Sequence, residues 1–78
     1  MRVSVRLNGP MASLLGPRRE LELAAGARVG DLLAALAAQA GVEAVPGLAV
    51  AIDGAIVDAA RPLADGDRVA VLAPVAGG

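Results

Sequence analysis

Few side chains in this sequence are able to do chemistry. Among its 78 residues there is no Cys and no His. Thiolate nucleophiles, disulfides and Cys-ligated zinc are therefore excluded, and the commonest general base and metal ligand is missing. Lys, Thr, Tyr, Trp and Phe are absent as well. The two serines, Ser4 and Ser13, have no histidine or lysine to activate them. Asp65 and Asp67 put two carboxylates close together, but no third oxygen-ligand cluster is near in sequence, so turn chemistry is the better reading. Arg18-Arg19 reads as a solvated basic pair in a loop. What remains is the stretch Pro74-Val75-Ala76-Gly77-Gly78. Taken alone it is a weak signal in a chain with 10 Gly, and a frayed end is its ordinary explanation. The expectation is a chain that is not a self-contained enzyme and binds no cofactor or metal of its own.

The elements that would position these residues follow from periodicity. Val3, Val5 and Leu7 alternate with Ser4 and Arg6, which predicts a strand over 2–7. Asn8-Gly9-Pro10 breaks it, and Met11 to Leu15 reads as a short helical turn stopped by Gly16-Pro17. Glu20 to Leu23 alternates again and predicts a second strand, with Ala25-Gly26-Ala27 as the turn out of it. Val29, Leu32, Leu33, Leu36 and Ala40 form one stripe of a 3.6-residue period, so a helix begins near Val29. Ala34, Ala35, Ala37 and Ala38 support it by propensity. Asp31 suits the positive end of its dipole, and Gly41 suits a left-handed C-terminal cap. Arg28 is a poor N-cap because it offers no acceptor oxygen.

Pro46-Gly47 predicts a turn, and Leu48 to Ile52 has the length of a strand. Asp53-Gly54 is a hairpin signal that lets Ala55-Ile56-Val57 pair back. After a connection over 58–66, Arg68 to Leu72 is the last strand, and residues 73–78 read as a flexible tail. If Val69 and Val71 face the helix, pleat parity turns Ala70 and Leu72 outward. One helix on one small mixed sheet is a two-layer α+β unit, expected here as a single domain over 1–78. The sequence is 56% hydrophobic with 0% aromatic residues, so the core must be a thin aliphatic layer. The net charge of −1 is too balanced for a nucleic-acid partner. No apolar run approaches the ~20 residues that span a bilayer, so no membrane partner is expected and the cytoplasm is the default compartment.

Two segments carry a family resemblance. Pro62-Leu63-Ala64-Asp65-Gly66-Asp67-Arg68-Val69, followed by Val71-Leu72-Ala73-Pro74-Val75-Ala76-Gly77-Gly78, resembles the end of the ubiquitin-like sulfur carriers of the MoaD/ThiS family, the MoaD branch above all. Gly26-Ala27-Arg28-Val29-Gly30-Asp31-Leu32-Leu33 resembles the family's helix start. Ala73 stands where that branch commonly has a first Pro, and Arg28 where a Thr is often found. Positions rich in Phe in the family are aliphatic here.

The resemblance implies a ubiquitin-like β-grasp, in which the first and last strands lie parallel and adjacent. It also implies a role as the small subunit of molybdopterin synthase. Gly78 would carry the reacting group, its own α-carboxylate, with Gly77 beside it. A carboxylate is a poor electrophile at neutral pH, where it is ionised. A ubiquitin-activating-type adenylating enzyme would use ATP and Mg²⁺ to make it an acyl-adenylate. Sulfur would then displace AMP, leaving a thiocarboxylate that serves molybdenum cofactor biosynthesis. The large subunit would be the second partner, with Leu72, Pro74, Val75 and Ala76 as contacts. Glycines without Cβ suit a narrow channel, and residues 73–78 reach at most roughly 20 Å when extended. Alternatives are a carrier for thiamine thiazole, cysteine or another thiolated metabolite, and a ubiquitin-like modifier of proteins.

Overall fold

The computed structural model describes residues 1–42 and 48–73. Along the chain run β1 (Arg2–Leu7), α1 (Gly9–Leu15), β2 (Arg18–Glu22), α2 (Val29–Ala40), β3 (Ala49–Ile52), β4 (Ala55–Val57) and β5 (Arg68–Leu72). The strands form one mixed sheet in the order β2-β1-β5-β3-β4. β1 is antiparallel to β2 and parallel to β5, so the first and last strands lie side by side as expected. β3 runs antiparallel to both β5 and β4. The predicted turn at Pro46-Gly47 lies outside the described residues.

Alternation decides which face is buried. Val3, Val5, Val69 and Val71 are all 1% exposed or less and meet Leu32 and Leu36 of α2 in one apolar cluster. Met11 of α1 and Leu63 of the long connection complete that cluster, and neither stands out in the local pattern. Leu33 was expected in the core, but it is only half-buried. The helix is rotated so that Ala37 turns inward and Leu33 lies at the margin of the stripe.

The helix start shows how a poor cap is tolerated. The Arg28 side chain makes no capping bond. Instead the Asp31 carboxylate accepts the Arg28 N–H at 2.8 Å. The Val29 and Gly30 amides, two of the orphan donors of a helix N-terminus, donate to the Arg61 and Ala59 carbonyls at 3.0 and 2.9 Å. A crossing loop therefore takes the place of a capping side chain. At the other end Gly41 has φ +75° and closes the helix as a left-handed cap.

Arg18 and Arg19 need correcting. They were read as a loop pair, yet they open β2, where Arg18 pairs with Arg6 and Arg19 with Val5. The alternating signal begins only at Glu20, but backbone donors and acceptors beside β1 need partners, and the pairing extends the strand. The two guanidinium groups consequently leave on opposite faces. Arg18 is exposed on the outer face, while Arg19 is half-buried and donates to the Leu15 carbonyl at 3.2 Å.

Candidate functional site

The end of β5 is the place where sequence and structure meet. Leu72 is turned outward and is 38% exposed, as parity predicted, while Val71 is buried. Leu72 sits beside Ala49, and Ala70 beside Ala51, which in turn neighbours Ile56. Ile56 is 68% exposed. The outer face of β5, β3 and β4 is therefore a strip of small and aliphatic side chains that ends at the base of the tail.

Ala73 follows Leu72, and its position is fixed by residues remote in sequence. Its N–H donates to Asn8 Oδ1 at 2.8 Å. Asn8 is the N-cap of α1, with extended backbone, yet its side chain makes no capping bond. The oxygen that normally satisfies the first turn of a helix is spent on Ala73 instead. Gly9 comes next, at φ +60°, and a Cβ there would stand 3.0 Å from the Ala73 Cβ. Only glycine accepts both that backbone conformation and that approach. Asn8 and Gly9 thus form a seat for the first residue of the tail. Sequence reasoning took Asn8-Gly9 only as a strand break; no local pattern announces a partner 65 residues away.

Of the predicted site residues, Leu72 lies where it was placed. Pro74, Val75, Ala76, Gly77 and Gly78 lie outside the described residues. Asp65 and Asp67 do the turn chemistry expected of them. Asp65 Oδ1 accepts the Arg2 N–H at 2.7 Å. Asp67 Oδ2 accepts the Ala64 N–H at 2.9 Å and pairs with Arg61 at 3.3 Å. The Gly66 N–H reaches the Arg2 carbonyl at 2.8 Å and the Ser4 N–H reaches the Asp67 carbonyl at 3.0 Å. The Asp-Gly-Asp turn therefore stitches the entry of β5 to β1 and sets the register that brings Leu72 and Ala73 to Asn8. Among the described residues no group of three or more metal-ligating side chains comes together. No helix among them is long and apolar enough to cross a membrane.

Comparison with known proteins agrees with this geometry. The profile of the ThiS family matches residues 5–78. No curated protein matches the chain. Among solved structures, a putative molybdopterin converting factor, subunit 1, from Pyrococcus furiosus superposes with a TM-score of 0.81 at 28% identity, covering 96% of this chain and 99% of that one. A chain of the complex of subunits 1 and 2 of the molybdopterin-converting factor from Helicobacter pylori gives 0.69 at 29% identity, with 100% of both chains covered. SAMP1 from Haloferax volcanii gives 0.81 at 24% identity, again over 100% of both chains, a likeness of fold. The fold is the ubiquitin-like β-grasp.

Proposed function

The chain belongs to the ThiS family, and we propose that it is the sulfur-carrying small subunit of molybdopterin synthase. The coarser statement, a ThiS/MoaD-type sulfur carrier or ubiquitin-like protein on a fold that is not catalytic, rests on the family match and the neighbours. The finer one is supported by the two molybdopterin-converting-factor chains, which are the more identical of the neighbours described above. The observation that carries the proposal is a family match running through Gly77 and Gly78 on a chain whose last strand lies parallel to its first.

The chemistry then divides between this chain and its partners. The α-carboxylate of Gly78 attacks the α-phosphorus of ATP in the adenylating enzyme, pyrophosphate leaves, and an acyl-adenylate forms. The terminal sulfur of a donor persulfide attacks the acyl carbon, and AMP departs with the electron pair of the broken C–O bond. A second thiolate then cleaves the S–S bond of the resulting acyl disulfide, leaving as a disulfide with the donor's sulfur. The product is a thiocarboxylate, which the large subunit directs to a phosphorylated pterin. This chain contributes delivery: a seat for Ala73, an apolar strip ending in Leu72, and residues without Cβ at the tip. In the Helicobacter pylori structure, subunit 1 is in a complex with subunit 2, which supports a large-subunit partner here.

Intact-mass measurement tests the proposal. After incubation with the adenylating enzyme, ATP, Mg²⁺ and a sulfur donor, the expected change is the replacement of one oxygen by sulfur at Gly78. Deletion of Gly78, or one added residue after it, is expected to abolish that change and leave the fold intact. Full sulfur loading of either variant would overturn the assignment of Gly78. Production of molybdopterin with the large subunit separates this role from other thiolated products, and isopeptide adducts on other proteins would point to a modifier.

A further inference from the structure

We infer that three arginines on the outer face of the sheet, Arg6, Arg18 and Arg68, form a docking surface for an acidic segment of the adenylating enzyme. The inference rests on the carrier reading but not on the sulfur acceptor, because every carrier of this kind must first be adenylated.

The register brings the three together. Arg6 pairs directly with Arg18 across β1 and β2. Arg68 pairs with Ser4, the residue two before Arg6 on the same face of β1, so it is the diagonal neighbour of Arg6. All three are exposed. They line an open cleft of about 510 Å³ together with Arg19, Ser4 and Glu20. The one carboxylate there, Glu20, lies 4.0 Å from Arg2 Nη1. Among the described residues no ion pair neutralises Arg6, Arg18 or Arg68, whereas Arg2 pairs with both Glu20 and Glu22 and Arg61 pairs with Asp67.

Like charges directly opposed across an antiparallel pair destabilise a sheet. Edge protection by charge accounts for a basic side chain on an edge strand, and β2 is an edge. It does not account for Arg6 and Arg68, because β1 and β5 are interior strands. The fold therefore carries three arginines against the single carboxylate of Glu20 where packing does not require them.

The shape of the array selects its occupant. Three adjacent strands span about 10 Å, a width suited to a row of carboxylates rather than to one small anion. Arg68, Ala70 and Leu72 lie on the same face of β5, so the array continues into the apolar strip and the tail. Arg68 stands about 13 Å from Leu72 along the strand. An enzyme that takes up the tail and covers Leu72 thus lies over the arginines, and complementary carboxylates there would set orientation and speed encounter.

The test is the KM for this chain in ATP–pyrophosphate exchange by the adenylating enzyme, measured at low and high ionic strength. The wild-type KM is expected to rise with salt. Arg6→Glu, Arg18→Glu and Arg68→Glu combined are expected to raise KM roughly tenfold or more at low salt, with the gap narrowing at high salt. Arg6→Gln with Arg18→Gln removes the opposed charges without adding new ones. That variant is expected to keep or raise the Tm while still raising KM, which separates docking from folding. If the wild-type chain is adenylated and the variants match its KM at both salt levels, the inference falls and the carrier reading stands. If the wild-type chain is not adenylated, both fall. If inorganic phosphate suppresses the wild-type reaction beyond chloride at matched ionic strength, and the arginine variants escape that suppression, the cluster is a free-anion site and the inference is overturned.

Discussion

The side chain that most directly governs the tail is Asn8, and its effect is one of position. A hydrogen bond of this kind contributes about 1 kcal/mol net, roughly a fivefold change in an equilibrium. Asn8→Ala is therefore expected to lower the Tm by about 4–8 °C while the Ala73 amide exchanges several times faster with solvent. Asn8→Asp keeps an acceptor and is expected to retain the protection; an Ala73 amide equally fast in all three proteins would show that the bond is not held in solution. Gly9 is less forgiving. A side chain at φ +60° costs on the order of 1–2 kcal/mol, and its Cβ would press on Ala73 at 3.0 Å. Gly9→Ala is expected to lower the Tm and to slow thiocarboxylate formation, and a loading rate equal to wild type would remove Gly9 from the seat. Parity made Leu72 legible in the sequence, since alternation fixes a strand's two faces. Asn8 was illegible for the opposite reason: its use depends on where β5 ends, and no periodicity encodes that.

At the level of elements, the strands and helices were largely legible because each carries its own period, and the misreadings lie where tertiary pairing adds to it. β2 begins at Arg18 because β1 offers it partners, although the alternating residues start later. Leu33 belongs to the stripe by spacing, yet the rotation of α2 sets it at the edge of the core. Leu63 is core although it sits in a connection, because its N–H donates to the Ala27 carbonyl at 2.9 Å and draws the loop down beneath α2. Leu36 is the sharpest probe of this packing, being 1% exposed. Removing a buried Leu side chain to Ala typically costs ~2–5 kcal/mol, and a domain of this size holds only about 3–5 kcal/mol from its core. Leu36→Ala is expected to unfold much of the chain near physiological temperature, while Leu33→Ala is expected to cost clearly less. Thermal melts followed by circular dichroism would decide, and equal losses would contradict the rotation. Asp31→Ala, which removes the acceptor for the Arg28 amide, is expected to cost about 0.5–2 kcal/mol.

Across the whole molecule the two faces of the sheet are assigned different tasks. The inner face is aliphatic and closed by α1 and α2. Among the described residues the outer face carries no helix, and it grades from arginines on β2, β1 and the start of β5 to Ala70, Ile56 and Leu72. Exposed Leu and Ile side chains scattered singly need no explanation, but here Leu72 of β5 and Ile56 of β4 share one face with only Ala49, Ala51 and Ala70 between them. A partner that receives the tail would bury them. Stable interfaces of that kind cover on the order of 1,200–2,000 Å², and a central apolar anchor can contribute 2 kcal/mol or more. Leu72 is the anchor nearest the tail, and its outward direction means that a charge there meets solvent in the free chain. Leu72→Glu is therefore expected to keep the wild-type Tm and to weaken binding to the large subunit by roughly thirtyfold or more, the ratio that 2 kcal/mol represents. Calorimetric titration of both proteins against that subunit measures it. A lowered Tm would mean that Leu72 supports the fold, and equal affinities would take it out of the interface and leave the tail as the sole contact on this side.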